Sequence, residues 1–173
     1  STRGIDKSRM CASDQMNVAL TDKLGGVSCL FVNDKSNGLK LYTRGNGAHG
    51  QDITHLRTFV IGVKKNTKKD FMIRGELIMK KNVFEEIKEN ESNARNTVSG
   101  IVNSKKPNQK YKGLVDFVGY EVISPSMKPL DQMLFMNEMK IPCVHYVMKD
   151  RISPDDIHQA LIDRKNNSAY EID

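Results

Sequence analysis

Thr21-Asp-Lys23-Leu-Gly-Gly26-Val-Ser-Cys-Leu-Phe-Val32-Asn-Asp-Lys-Ser-Asn-Gly38-Leu-Lys-Leu-Tyr-Thr43 is the stretch that decides the fold. Two apolar runs, Gly26–Val32 and Leu39–Thr43, flank Asn33-Asp-Lys-Ser-Asn-Gly38, which is rich in turn-forming residues. So short a link cannot hold the crossover that parallel strands need, so the two runs pair as an antiparallel hairpin.

Working outward, residues 1–16 are polar and irregular, and Val18-Ala-Leu20 leads as a strand into Lys23. Downstream, Gln51–Thr58 has the length of a short helix, and Phe59–Val63 is apolar. Lys64-Lys-Asn-Thr-Lys-Lys69 is a basic loop, and Phe71–Met79 alternates as a strand around Arg74-Gly-Glu76. Asn82 followed by Glu85 has the spacing of a capping box, which predicts a helix through about Glu89. A second helix is predicted over Glu91–Asn103 and a buried strand over Leu114–Ile123. Then come a helix over Leu130–Met139, a strand over Cys143–Met148, and a helix capped by Ser153-Pro-Asp-Asp156 that reaches about Arg164. Hairpins with helices inserted between strands predict an α+β domain with antiparallel sheets.

The 173 residues suffice for one domain with a core; 38% are hydrophobic and 28% charged, which argues against wholesale disorder. The longest apolar run, Val27–Val32, is far below the roughly 20 residues that span a bilayer. No signal-peptide pattern is evident near residue 1, so a soluble protein is expected. Lys and Arg outnumber Asp and Glu by 27 to 21, a net charge of +6 that suits a polyanionic partner. Cys11, Cys29 and Cys143 are odd in number and far apart, which argues for a reducing intracellular setting rather than a disulfide framework.

Gly45-x-Gly47-x-x-Gly50 follows a strand and has an acidic residue, Asp70, at dinucleotide-fingerprint distance. The fingerprint also needs a βαβ unit; Gln51–Thr58 is too short for its helix and the preceding strands are antiparallel. Lys23 ends an apolar strand just before Gly25-Gly26, where the backbone can approach another group closely. Alone it reads as a surface lysine, since a nucleophilic lysine needs burial or neighbouring cations to enlarge its neutral fraction. Arg74 and Glu76 share one face of a strand, either as an ion pair or as ligands for a polar group. None of the four histidines has metal-ligand spacing, no Ser-His-Asp set can be placed, and no metal site is assigned.

In combination these segments resemble the adenylation domain of NAD-dependent DNA ligases. Thr21-Asp-Lys23-Leu-Gly-Gly26 resembles the KxDG motif, Thr43-Arg-Gly-Asn-Gly47 the TRGDG motif, and Gly50-Gln-Asp-Ile-Thr54 the GED[VI]T motif. Ile73-Arg-Gly-Glu-Leu77 resembles the RGE strand, Asn93-Ala-Arg-Asn96 the NPRN stretch, Asp116-Phe-Val-Gly-Tyr120 the FFxYG strand, and Tyr170-Glu-Ile-Asp173 the lead into DGVVIK. The matches keep family order from about Gly4 to Asp173, and the wording around Lys23 is closer to viral members.

The resemblance implies a nucleotidyltransferase fold of the DNA ligase and mRNA-capping type, with residues 1–173 a partial adenylation domain cut before the DGVVIK-like strand. It implies that Lys23 attacks the α-phosphate of NAD, that AMP then passes to a DNA 5′-phosphate, and that the 3′-hydroxyl of the nick displaces it. Thr21, Leu24, Arg44, Glu76 and Tyr120 fall in the implied nucleotide-binding set, with Glu76 on the ribose and Tyr120 stacked on adenine. Arg95 and Arg164 fall in the implied DNA- or phosphate-contacting set. Mg²⁺ is the implied metal ion and nicked duplex DNA the implied partner. A monomer in the cytoplasm or at a viral replication site is expected.

The chain departs from the family motifs at Gly25 (Asp in KxDG), Asn46 (Asp in TRGDG), Ala94 (Pro in NPRN), Asn103 (Arg) and Thr21 (Glu in bacterial members). Two rivals follow. An ATP-dependent ligase or capping nucleotidyltransferase shares the lysine and the strand glutamate, and a non-catalytic nick-binding relative explains Gly25.

Overall fold

The turn chemistry at Asn33–Gly38 closes the predicted hairpin, with Asp34 paired to Gly38 and Cys29 to Thr43. Asp34 Oδ1 accepts the backbone N–H groups of Ser36 and Asn37, an Asx arrangement that fixes the turn. The computed structural model describes residues 18–44, 50–144, 146–149 and 154–172.

In chain order the strands are β1 (Val18–Thr21), β2 (Val27–Asp34), β3 (Gly38–Thr43), β4 (Gln51–Asp52), β5 (Val60–Ile61), β6 (Phe71–Ile78), β7 (Val115–Ser124) and β8 (Tyr146–Lys149). The helices are α1 (Lys81–Ile87), α2 (Ala94–Val102), α3 (Pro129–Glu138) and α4 (Pro154–Asn167). Six strands form one sheet in the order β4-β3-β2-β6-β7-β5, and β1 pairs with β8 in a second, two-stranded sheet.

One face of the large sheet is built from alternate residues of β2, β6 and β7. Phe31, Ile73, Leu77 and Phe117 are fully buried there. Phe31 meets Phe71 and Phe117 edge to face, at ring separations of 5.2 and 5.6 Å. Val98, Ile101 and Val102 of α2 and Met133 and Met136 of α3 belong to the same core.

Three expectations need correction. The large sheet is not wholly antiparallel: β5 runs parallel to β7, because the chain between them passes through β6, α1 and α2 and can return in the same direction. Gln51–Thr58 is not one helix but the short strand β4 followed by a 3-10 turn over Thr54–Thr58. Asn82 and Glu85 form no capping box: α1 begins at Lys81, and the Lys81 N–H is taken at 2.9 Å by the Ala169 carbonyl. A carbonyl from elsewhere in the chain thus does what a side-chain cap would have done.

The helices over 94–102, 129–138 and 154–167 answer the predicted ones, α2 starting with the Asn93 side chain accepting the Asn96 N–H at 2.8 Å. The glycine-rich stretch from Gly45 to His49, and Ser153 of the predicted α4 cap, lie outside the described residues. Among the described residues, no helix is long and apolar enough to cross a membrane.

Candidate functional site

The link between β1 and β2, Asp22-Lys23-Leu24-Gly25-Gly26, crosses from the small sheet to the large one. Asp22 and Leu24 are buried and Lys23 between them is exposed, so the alternation of an extended chain turns the lysine outward. Asp22 faces Arg164 of α4, which donates from Nε at 3.1 and 3.2 Å and from Nη2 at 3.1 Å to its two carboxylate oxygens. This two-pronged geometry anchors the backbone immediately before Lys23. On the other side, the Gly25 N–H donates to the Glu171 carbonyl at 3.1 Å, and Leu24 makes an antiparallel bridge with Ile172.

Glu76 reaches this loop from the sheet. It lies in β6 opposite Ser28 of β2 and Val118 of β7, on the face away from the phenylalanine cluster. A methyl group at Gly26 would stand 2.5 Å from the Leu77 carbonyl oxygen and 3.2 Å from Glu76 Oε2. Only glycine lets the lysine loop lie this close to β6, and the same contact sets the Glu76 carboxylate beside the loop. Gly75, between Arg74 and Glu76, is equally constrained, since a Cβ there would meet the Phe117 ring at 2.7 Å. The Arg-Gly-Glu order therefore serves core packing on one face and presents charge on the other. Arg74 pairs with Glu121 across the strands at 3.5 Å.

Tyr120 is half-buried at a register shift of β7: Arg74 faces Glu121 but Gly75 faces Gly119. The unmatched residue is Tyr120, a β-bulge of the kind that re-aims a side chain. Arg44 is exposed and follows Thr43, the partner of Cys29, so it stands at the same end of the sheet as Ser28 and Glu76. Thr21, two residues before Lys23, is 2% exposed, and its Oγ1 has no hydrogen-bond partner among the described residues.

The sequence-predicted residues are thus partly assembled. Lys23 and Leu24 share one loop, which Thr21 leads into from the end of β1, with Glu76 beside it and Arg44 at the same sheet end. Arg95 is exposed in the first turn of α2. Arg164 is turned onto Asp22, with only 20% of its side chain exposed. Sequence reasoning missed Asp22, although a carboxylate immediately before the lysine in an apolar setting was a usable signal. It also missed the pairing of Tyr170 with Asp116 at 2.8 Å. Cys29, beside this site in β2, is made inert by burial, which pushes its thiol up to about 12. Among the described residues no group of three or more His, Cys, Asp or Glu side chains is placed to hold a metal ion.

The class so defined is an α+β domain that presents a lysine in a glycine-rich link beside a carboxylate on a sheet face. The chain belongs to the family of NAD-dependent DNA ligase adenylation domains, whose family model matches residues 5–173. It is 43% identical over 159 residues to a DNA ligase of Acanthamoeba polyphaga mimivirus, an alignment covering 89% of this chain and 25% of that protein. It is 37% identical over 162 residues to a putative DNA ligase of Invertebrate iridescent virus 6, covering 87% and 26%. It is 27% identical over 143 residues to a DNA ligase of Mycoplasmopsis agalactiae, covering 78% and 22%. The chain therefore spans about a quarter of the length of these relatives.

Proposed function

We propose that this chain carries the lysine adenylation step of an NAD-dependent DNA ligase that seals nicks in duplex DNA. The observation that carries the proposal is the Glu76 carboxylate held beside the Lys23 loop by the close approach at Gly26. The Thr21 hydroxyl, which has no partner among the described residues, and the half-buried phenol of Tyr120 add the fit expected of a nucleotide-binding face: a buried polar atom and an aromatic ring for a base.

NAD, as substrate, supplies an AMP group on an activated phosphoanhydride. Lys23, once its amine has given up a proton to solvent, forms the P–N bond to the α-phosphorus while the P–O bond to nicotinamide mononucleotide breaks. Glu76 accepts hydrogen bonds from the ribose, Tyr120 stacks on the adenine, and Thr21 and Leu24 border it. Arg44 stands at the phosphates and Arg95 on the DNA side, where the +6 charge of the chain favours a polyanion. Two nitrogens of Arg164 are taken up by Asp22, so its role here is to support the loop. Mg²⁺ would sit largely on phosphate oxygens, as this ion commonly does, and offset their charge.

The test is incubation with adenylate-labelled NAD or ATP and Mg²⁺, followed by denaturing electrophoresis. The expected product is a lysine-linked adenylate from NAD that Lys23→Ala lacks. Glu76→Gln should slow its formation roughly 10- to 100-fold, the worth of hydrogen bonds to a charged acceptor. Salt-dependent binding of nicked duplex with no adenylate, in both this chain and its Gly25→Asp variant, would mark a non-catalytic binding relative and overturn the proposal.

A further inference from the structure

Lys80, Asp116 and Tyr170 meet where β6 ends and β7 begins, and the chemistry proposed above uses none of them. Asp116 stands opposite Ile78 in a strand whose neighbouring residues are apolar, and it is 5% exposed. A carboxylate so placed is costly unless paired and hydrogen-bonded. Lys80 Nζ lies 3.6 Å from Asp116 Oδ2, and the Tyr170 hydroxyl donates to the same oxygen at 2.8 Å. Burial, and then the bond to Asp116, keep the phenol in its neutral, donating form.

Tyr170 belongs to the segment 168–172 that leaves α4, and this segment bonds in two directions. The Ala169 carbonyl accepts the Lys81 N–H at 2.9 Å, at the start of α1. The Glu171 carbonyl accepts the Gly25 N–H, and Ile172 bridges Leu24. Between these backbone contacts, the phenol ties the segment to the large sheet. The backbone that follows Lys23 therefore rests on a strip of chain that a backbone bond ties to α1 and a buried carboxylate ties to the large sheet.

We propose that Tyr170, acting through Asp116 and Lys80, is a positioning residue that docks segment 168–172 on the sheet and thereby fixes the backbone carrying Lys23. The inference takes Lys23 as the nucleophile from the function proposed above, but the docking has a readout of its own in the Gly25 amide. In Tyr170→Phe, which keeps the ring and removes one hydrogen bond, Gly25 amide hydrogen exchange should quicken at least about tenfold, while the Ile73 and Leu77 amides of β6 change less than about twofold. Asp116→Asn keeps an oxygen for the phenol and should quicken Gly25 exchange less than Tyr170→Phe does.

Unchanged Gly25 exchange in Tyr170→Phe, or β6 amides that quicken along with it, would overturn the proposal. In single-turnover adenylation with labelled NAD, Tyr170→Phe should lower the saturating rate about tenfold and leave the half-saturating concentration unchanged. A change in half-saturation alone would also overturn it. If neither the unsubstituted chain nor its Gly25→Asp variant forms adenylate, the proposed function fails separately, and Gly25 exchange still decides the docking role.

Discussion

Replacing Arg164 by Met removes the cation that Asp22 faces while keeping most of the volume of the side-chain stem. The Asp22 side chain is 5% exposed and that of Arg164 20%, with three nitrogen–oxygen contacts of 3.1 to 3.2 Å between them. Breaking a buried pair by removing one partner costs about 3–5 kcal/mol, because a carboxylate is left in a place water reaches poorly. At about 2–4 °C per kcal/mol for a chain of this size, the melting temperature should fall by roughly 6–20 °C. The pair as a whole contributes far less, since the Coulombic gain is offset by the desolvation of both groups. Asp22→Leu combined with Arg164→Met should therefore lie within about 1 kcal/mol of the original chain. Urea unfolding followed by circular dichroism on the two single variants and the double variant completes the cycle. A single Arg164→Met variant within about 1 kcal/mol of the original chain would refute the claim that the pair is a buried anchor of the lysine loop.

Other outcomes can be checked on the same protein. Gly26→Ala forces a methyl group to within 2.5 Å of the Leu77 carbonyl oxygen and should cost about 1–3 kcal/mol by the same unfolding assay. Cys29 should resist iodoacetamide at pH 8 in the folded protein and react once unfolded, as burial pushes its thiol to about 12; mass spectrometry of the labelled peptide reads this directly. Bonds from the Tyr111 hydroxyl, and then from the Thr97 hydroxyl, hold Glu91 below its ordinary value of 4.5. Because the folded value is the lower one, this stabilisation is complete above about pH 4.5 and is lost as pH falls through the folded value; Glu91→Gln should flatten the acid limb of the stability–pH curve. Tyr170 is shifted the opposite way, so its contribution is complete below about pH 10 and is lost on further alkalinisation; Tyr170→Phe should remove that alkaline dependence from the thermal melts.

The parts of the fold that were legible are those whose cause is local. Asn33–Gly38 carries its turn in its own side chains, the alternation of Phe71–Ile78 matches the two faces of β6, and Asn93 caps α2 within one turn. Lys23 and Glu76 were legible as a pair only through motif order, because the contact between loop and strand depends on Gly26 and on a register no periodicity encodes. The Asp22–Arg164 pair spans 142 positions and Tyr170–Asp116 spans 54, so no local pattern announces either. The Asn82–Glu85 spacing misled for the same reason, since the acceptor that starts α1 is the carbonyl of Ala169. The parallel edge at β5 was hidden because two paired residues leave too short a pattern to assign a direction.

The lysine loop is bounded by contacts between residues far apart in the sequence: Thr21 with Tyr146, Asp22 with Arg164, and Leu24 with Ile172. Contacts of such high contact order close late, after hairpins such as β2–β3 that join near neighbours. On a ribosome, Lys23 emerges long before Arg164 and Ile172 exist, so the contacts that bound its loop cannot form until nearly all of the described chain has been made. Biosynthetic order thus delays completion of the lysine loop until the surrounding domain is in place.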